Sequence, residues 1–141
     1  MQTVDLNNLT TSEAWYEHDP EVRVRADFPL NAATGNVTTS MVYFEIEPGH
    51  RLGMHTDSAE EIVVVLQGTV EATVGDERGE LSAGGAVLIP EMVPHGIRNI
   101  GTERARCVGF FSAAGVESTF DGVIMPLGSN VVSTKAETIA H

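Results

Sequence analysis

The chain has 141 residues, a length that suits one domain able to bury its own core, with 42% hydrophobic and 20% charged residues. Its formal net charge is −12 and its sequence pI is near 4.6, a field that repels nucleic acid and anionic membrane surfaces. A single cysteine, Cys107, excludes an intrachain disulfide, and no apolar stretch approaches the length of a membrane span.

The first ten residues lack a basic region followed by an apolar run. No signal peptide is therefore expected, and the cytoplasm is the default location. Thr11 to Tyr16 predicts a short helical turn, capped by Thr11 or Ser12 and stopped by Asp19-Pro20. Trp15, the one tryptophan, reads as an apolar plug on the fold or at a subunit contact. From Glu21 the period changes to two. Val22 and Val24 alternate with Arg23 and Arg25, which predicts a half-buried strand. Pro29 to Asn36 reads as a loop. Thr38 to Glu47 alternates again, with Val42, Phe44 and Ile46 on one side and Met41, Tyr43 and Glu45 on the other.

Glu61 to Leu66 is apolar on both faces, and it is short and β-branched, so it predicts a strand covered on both sides, as in a sandwich or a dimer-covered barrel. Further strands are predicted at Thr69–Val74, Gly79–Leu81, Ala86–Ile89, Pro94–Arg98 and Arg106–Ser112, separated by Gly- and Pro-rich turns. After Ala113 the pattern weakens. Phe120, Val123, Ile124 and Leu127 read as a cap, and residues 129–141 as extended or partly disordered. Many short strands without helical periodicity predict an all-β antiparallel sandwich or barrel in one domain, 1–141, with no linker and no internal repeat.

Two stretches carry the chemistry. The first runs from Gly49 to Gly68, GHRLGMHTDSAEEIVVVLQG, and holds His55, Asp57 and Glu61. The second runs from Gly84 to Asn99, GGAVLIPEMVPHGIRN, and holds His95. Residues two apart on a strand share a face, so His55 and Asp57 converge if that segment is extended. His95 is expected from a distant strand, meeting them across the barrel. Two imidazoles and one or two carboxylates around one point suit Fe(II), Mn(II), Ni(II) or Zn(II).

These stretches resemble the two motifs of the cupin superfamily. Gly49, His55, Glu61 and Gly68 fall at the positions of the first motif, with Asp57 where that motif has its second histidine. Gly84, Pro90, His95 and Asn99 fit the second motif, with Met92 in place of its glycine. The resemblance spans about residues 41–111 and implies a cupin-type β-barrel, or jelly roll, with its core at about 38–113 and short extensions at both ends. It further implies that His55, Asp57, Glu61 and His95 hold a divalent metal ion. Asp57 has three readings: it ligates, it binds through a water, or it falls short, as in an Asp57-Ser58 turn. If it ligates, the set is harder and more anionic than the usual cupin set, which favours Mn(II) or Fe(II). If it does not, His55, Glu61 and His95 form a two-histidine, one-carboxylate set. At Met92 the turn needs a shape that glycine adopts easily, so strain is expected there.

The resemblance also implies a small-molecule substrate, a homodimer, and dioxygenase-like oxidoreductase chemistry with Glu61 as ligand and proton acceptor. A non-catalytic small-molecule-binding cupin and a metal-dependent isomerase or lyase are the alternatives. The other polar residues have plainer readings. Glu60 is solvated, His50 belongs to the rim, and His18 and His141 are uninvolved. Asn99 holds a turn, and Cys107 is a small buried hydrophobe. Arg25, Arg51, Arg98 and Tyr43 either reach the pocket to hold an anion or make surface salt bridges. No phosphate loop and no Gly-x-Ser-x-Gly elbow occurs.

Overall fold

The computed structural model describes residues 1–136. Twelve strands form one antiparallel sheet: β1 Ser12–Tyr16, β2 Arg23–Leu30, β3 Ser40–Ile46, β4 Arg51–Asp57, β5 Glu61–Gln67, β6 Thr69–Val74, β7 Glu77–Ser82, β8 Ala86–Ile89, β9 His95–Asn99, β10 Ala105–Phe111, β11 Glu117–Met125 and β12 Ser129–Ser133. The strand order is β7-β6-β9-β4-β11-β1-β2-β3-β10-β5-β8, with β12 hydrogen-bonded to β11. The path folds back on itself as a nearly closed barrel of jelly-roll type. Alternation drives it: Val42, Phe44 and Ile46 of β3, Val63 and Val65 of β5, and Cys107 and Phe111 of β10 point inward and meet Val70 of β6 and Ile97 of β9 in one buried cluster. The only helical element among the described residues is a 3-10 turn at Ala32–Thr34, inside the expected loop. None of the described helical segments is long and apolar enough to cross a membrane.

Two expectations are corrected. Thr11 to Tyr16 forms no helical turn, because Ser12–Tyr16 is strand β1, pairing with β2 through Ala14↔Val24 and with β11 through Trp15↔Met125. Two adjacent aromatic residues with partners on both sides favour the pleat over the weak cap signal. Phe120 to Leu127 is no cap either, since Glu117–Met125 forms β11 between β1 and β4, while Ser129–Ser133 is extended as expected and forms β12. The barrel strands therefore extend from Ser12 to Ser133, beyond the stretch that carries the motifs. Within one chain β5 is covered on its inner side, and cover for its outer face would fall to a second copy. Ile62 and Leu66 are exposed on its outer face, and Ile62 stands in register with the exposed Phe110 and Leu88 of the flanking strands.

Candidate metal centre

His55 and Asp57 sit two apart at the end of β4 with side chains on the inner face, both buried. His95 opens β9, which is hydrogen-bonded directly to β4, and His55 pairs with His95 in that register. The expectation that His95 reaches across the barrel is thus corrected: the two imidazoles are lateral neighbours, with ring centroids 4.1 Å apart. Glu61 is the residue that comes from the other side, at the start of β5. The histidine nitrogens and an Asp57 oxygen all lie within 4.8 Å of one another. Asp57 Oδ2 is 3.0 Å from His95 Nε2 and 3.7 Å from His55 Nε2. Glu61 stands to one side, with Oε1 3.5 Å from His95 Nε2.

The two imidazoles are locked alike. Nδ1 of His55 donates to the Gly53 carbonyl at 2.8 Å, and Nδ1 of His95 donates to the Val93 carbonyl at 2.9 Å. Each ring therefore turns Nε2 toward Asp57 and Glu61, the orientation that metal-ligating histidines take when the other nitrogen is held by a carbonyl. Phe120 of β11 stacks on His55 with centroids 4.4 Å apart at 16°, which fixes the plane of that ring. Ser118, two residues earlier, donates its hydroxyl hydrogen to Asp57 Oδ1, leaving Oδ2 for the imidazoles. Gly109 makes the room for Glu61: a Cβ there would lie 2.2 Å from Glu61 Oε2. Ser118, Phe120 and Gly109 escape a reading of spacing along the chain, because their contacts depend on strand pairing.

The electrostatics carry one mismatch. Asp57 Oδ2 and His95 Nε2 are buried, and despite their 3.0 Å separation neither has a partner of acceptable hydrogen-bond geometry. Buried polar atoms in that state call for a shared positive charge. Burial opposes charge on His95, yet Asp57 and Glu61 against its Nε2 push its pKa up to about 10. Burial, with His95 beside it, pushes His55 down to about 4. Burial also works to raise Asp57, but the imidazoles and the Ser118 hydroxyl outweigh it and hold the carboxyl below its usual range. Burial pushes Glu61 up to about 7. A proton on His95 meets the demand when no cation is present. A divalent cation would meet it better, because His55, Asp57 and His95 together could hold one, and this set of nitrogen and hard oxygen donors fits such an ion.

The cluster forms the floor of a cavity of about 510 Å³. The inner faces of β2, β3, β5 and β10 wall it, and Trp15, Met125 and Leu127 also line it. Trp15 stands on β1 in the cavity wall, with its ring against its cross-strand partner Arg23, whose guanidinium lies 5.2 Å from the ring centroid. Tyr16 crosses closely over Gly53, where a Cβ would lie 2.2 Å from its oxygen, and donates to Asp121 Oδ1 at 2.8 Å. The arginines considered for the pocket are engaged elsewhere. Arg51 pairs with Asp19, Arg98 with Glu21, and Arg25 with Thr11. Tyr43 lies on the outer face of β3, bonded to Glu45 and Arg106. His50 is half-buried near the loop before β4, and Glu60 is exposed. Asn99 bonds the carbonyls of Ile46 and Glu103 and the Gly101 N–H, and Cys107 is fully buried. His141 lies outside the described residues.

The family model for the Cupin domain matches residues 42–111, which hold both motifs. No curated protein sequence matches the chain. Among solved structures, the chain is similar to a predicted oxalate decarboxylase from Thermotoga maritima, with TM-score 0.69 and 18% identity over 79% of this chain and 99% of that one. It is similar to the polyketide cyclase RemF from Streptomyces resistomycificus, with TM-score 0.63 and 19% identity over 79% and 78%. It also resembles the oxalate decarboxylase of Bacillus subtilis, a protein with Mn(II) centres, with TM-score 0.64 and 16% identity over 76% of this chain and only 30% of that longer one. At these identities the likeness is one of fold. Both motifs, the family model that spans them and the barrel shared with these structures together establish that the chain belongs to the cupin family.

Proposed function

We propose that this protein is a metal-dependent enzyme acting on a small organic molecule, with His55, Asp57, Glu61 and His95 as the ligands. One observation carries the reading: two imidazoles with Nδ1 tied to carbonyls and Nε2 turned toward a partnerless carboxylate oxygen, at the floor of a cavity large enough for a substrate. Fe(II) and Mn(II) suit the two carboxylates best, and Mn(II) centres occur in a structurally similar oxalate decarboxylase. When bound, such a cation supplies Lewis acidity and an open position for an oxygen donor.

The chain's own residues do the rest. Phe120 and the two carbonyls hold the imidazoles, Ser118 aims Asp57, and the apolar walls exclude water. Glu61 faces the cavity from the opposite strand and is placed to take a proton from a bound substrate. Dioxygenase-like oxidoreductase chemistry is the first reading. A second reading, proton transfer of the isomerase or cyclase kind, is favoured by the side-on position of Glu61, and a similar fold serves the polyketide cyclase RemF. Oxygen uptake with enol and catechol compounds separates the two: consumption of O₂ supports the first, and turnover without it supports the second.

The metal itself is tested by elemental analysis of protein purified without added metal. About one ion per chain is expected in the wild type and a loss of at least tenfold in His95→Ala. Equal content in both would remove His95 from the site. The exposed row Phe110, Ile62 and Leu88 leads us to infer a homodimer that covers this face. Light scattering should find a dimer that Ile62→Lys turns into a monomer, and a monomeric wild type would refute the pairing.

A further inference from the structure

We propose that the cavity takes a neutral, largely apolar molecule presenting oxygen donors at one end, and that it rejects small dicarboxylates and phosphorylated sugars. The inference rests on the metal-enzyme reading for the oxygen donors, and on the cavity walls for the rest. The volume, about 510 Å³, falls in the range of sites for drug-sized ligands, about 300–1,000 Å³. Val24, Val42, Phe44, Val63, Ile97 and Phe111 wall it, all buried, so a ligand there gives up its water to hydrocarbon. A dianion of the size of oxalate would leave most of that space unfilled.

Charge argues the same way. Asp27, Asp57 and Glu61 line the cavity with Glu13 at its edge, Glu13 is already paired with Arg23, and among the described residues no lysine or arginine lines the cavity. Two ionised carboxylates beside a divalent cation sum to zero, so the floor offers no net charge to a dianion. Asp57 is decisive here, since a histidine in its place would leave that centre at +1. The whole chain adds a field from a net charge of −12. A carboxylate or phosphate would have to shed water with no compensating cation beyond the metal. A neutral molecule loses little on entry and keeps its oxygen atoms for the floor.

Trp15 makes the test direct, because the one tryptophan of the chain lines this cavity. N-phenyl-1-naphthylamine, a neutral apolar fluorophore, is titrated into metal-loaded and metal-stripped protein, with energy transfer from Trp15 as the readout. Saturable binding at one site per chain and micromolar concentration is expected in both forms. Ala26→Phe and Ala14→Phe, on separate strands, each fill the cavity and should weaken binding about tenfold or more, so a folding failure in one leaves the other to decide. Oxalate and glucose 6-phosphate at millimolar concentration should neither displace the probe nor change the Trp15 emission. Displacement by either anion, or unchanged probe binding in both variants, would overturn the assignment. If metal is bound and the probe is not, the apolar assignment fails while the metal reading stands. If the probe binds and elemental analysis finds no metal, the apolar cavity stands while the metal reading and its oxygen-donor requirement fail.

Discussion

Met92 occupies the glycine position of the second motif and adopts φ 61°, the one positive φ outside glycine among the described residues. Its N–H donates to the Asp57 carbonyl at 2.9 Å, so the turn between β8 and β9 is tied to the end of the strand that carries the site. That bond holds the residue in the left-handed region despite its Cβ, a strain of about 1–2 kcal/mol. Replacement by glycine removes the strain and adds about 0.5–1 kcal/mol of unfolded-state entropy cost. Met92→Gly should therefore raise the unfolding free energy by about 0.5–1 kcal/mol, read as a higher urea midpoint at unchanged slope. The Met92 side chain is exposed, so no packing loss offsets the gain. A lower midpoint would show that the turn, and not the residue, sets this backbone shape.

Strand β11 holds what a linear reading misses. Period-two alternation makes β3 and β6 legible, because each shows its own inner face without reference to a neighbour, and the short apolar runs of β5 and β10 read as strands though both their faces are apolar. His55, Asp57, Glu61 and His95 were legible for a related reason: their spacing is local to two short stretches. Ser118 and Phe120 acquire meaning only through the pairings Ser118↔Asp57 and Phe120↔His55, across roughly sixty residues of chain. Strand β1 reads locally as a helical turn on the same account, since its partners Arg23 and Met125 decide its conformation. The role of β11 can be isolated at Ser118. Ser118→Ala removes the hydroxyl that aims Asp57 and leaves the barrel pairings intact, so metal affinity should fall about 10–100-fold with little change in Tm. Ser118→Thr, which keeps the hydroxyl, should restore most of the affinity. Unaltered affinity in Ser118→Ala would show that Asp57 needs no help to face the imidazoles.

For the whole molecule, the buried acid and base groups link stability, pH and metal. In the metal-free protein His95 titrates near 10, well above its unfolded value, so the stability it contributes is fully present below about pH 6.5 and is lost as pH rises toward 10. Glu61, raised to about 7, acts in the same direction: ionising it inside the barrel weakens the fold as pH passes from about 4.5 to 7. His55, lowered to about 4, acts the other way, its contribution being present above about 6.5 and lost as pH falls through 4. Asp57, lowered too, likewise loses its contribution under acid. From pH 7 upward His95 and the remaining protonated fraction of Glu61 titrate, both in the direction that costs stability, so the metal-free protein should lose Tm steadily from pH 7 to 10. A divalent ion must displace the His95 proton to bind, and its apparent affinity should rise by about tenfold per pH unit over that window. Thermal melts with and without Mn(II) at pH 7, 8 and 9 should then diverge, the metal-free Tm falling while the metal-induced gain grows. A metal-induced gain independent of pH would mean that His95 carries no proton to displace and stands as a neutral imidazole beside Asp57.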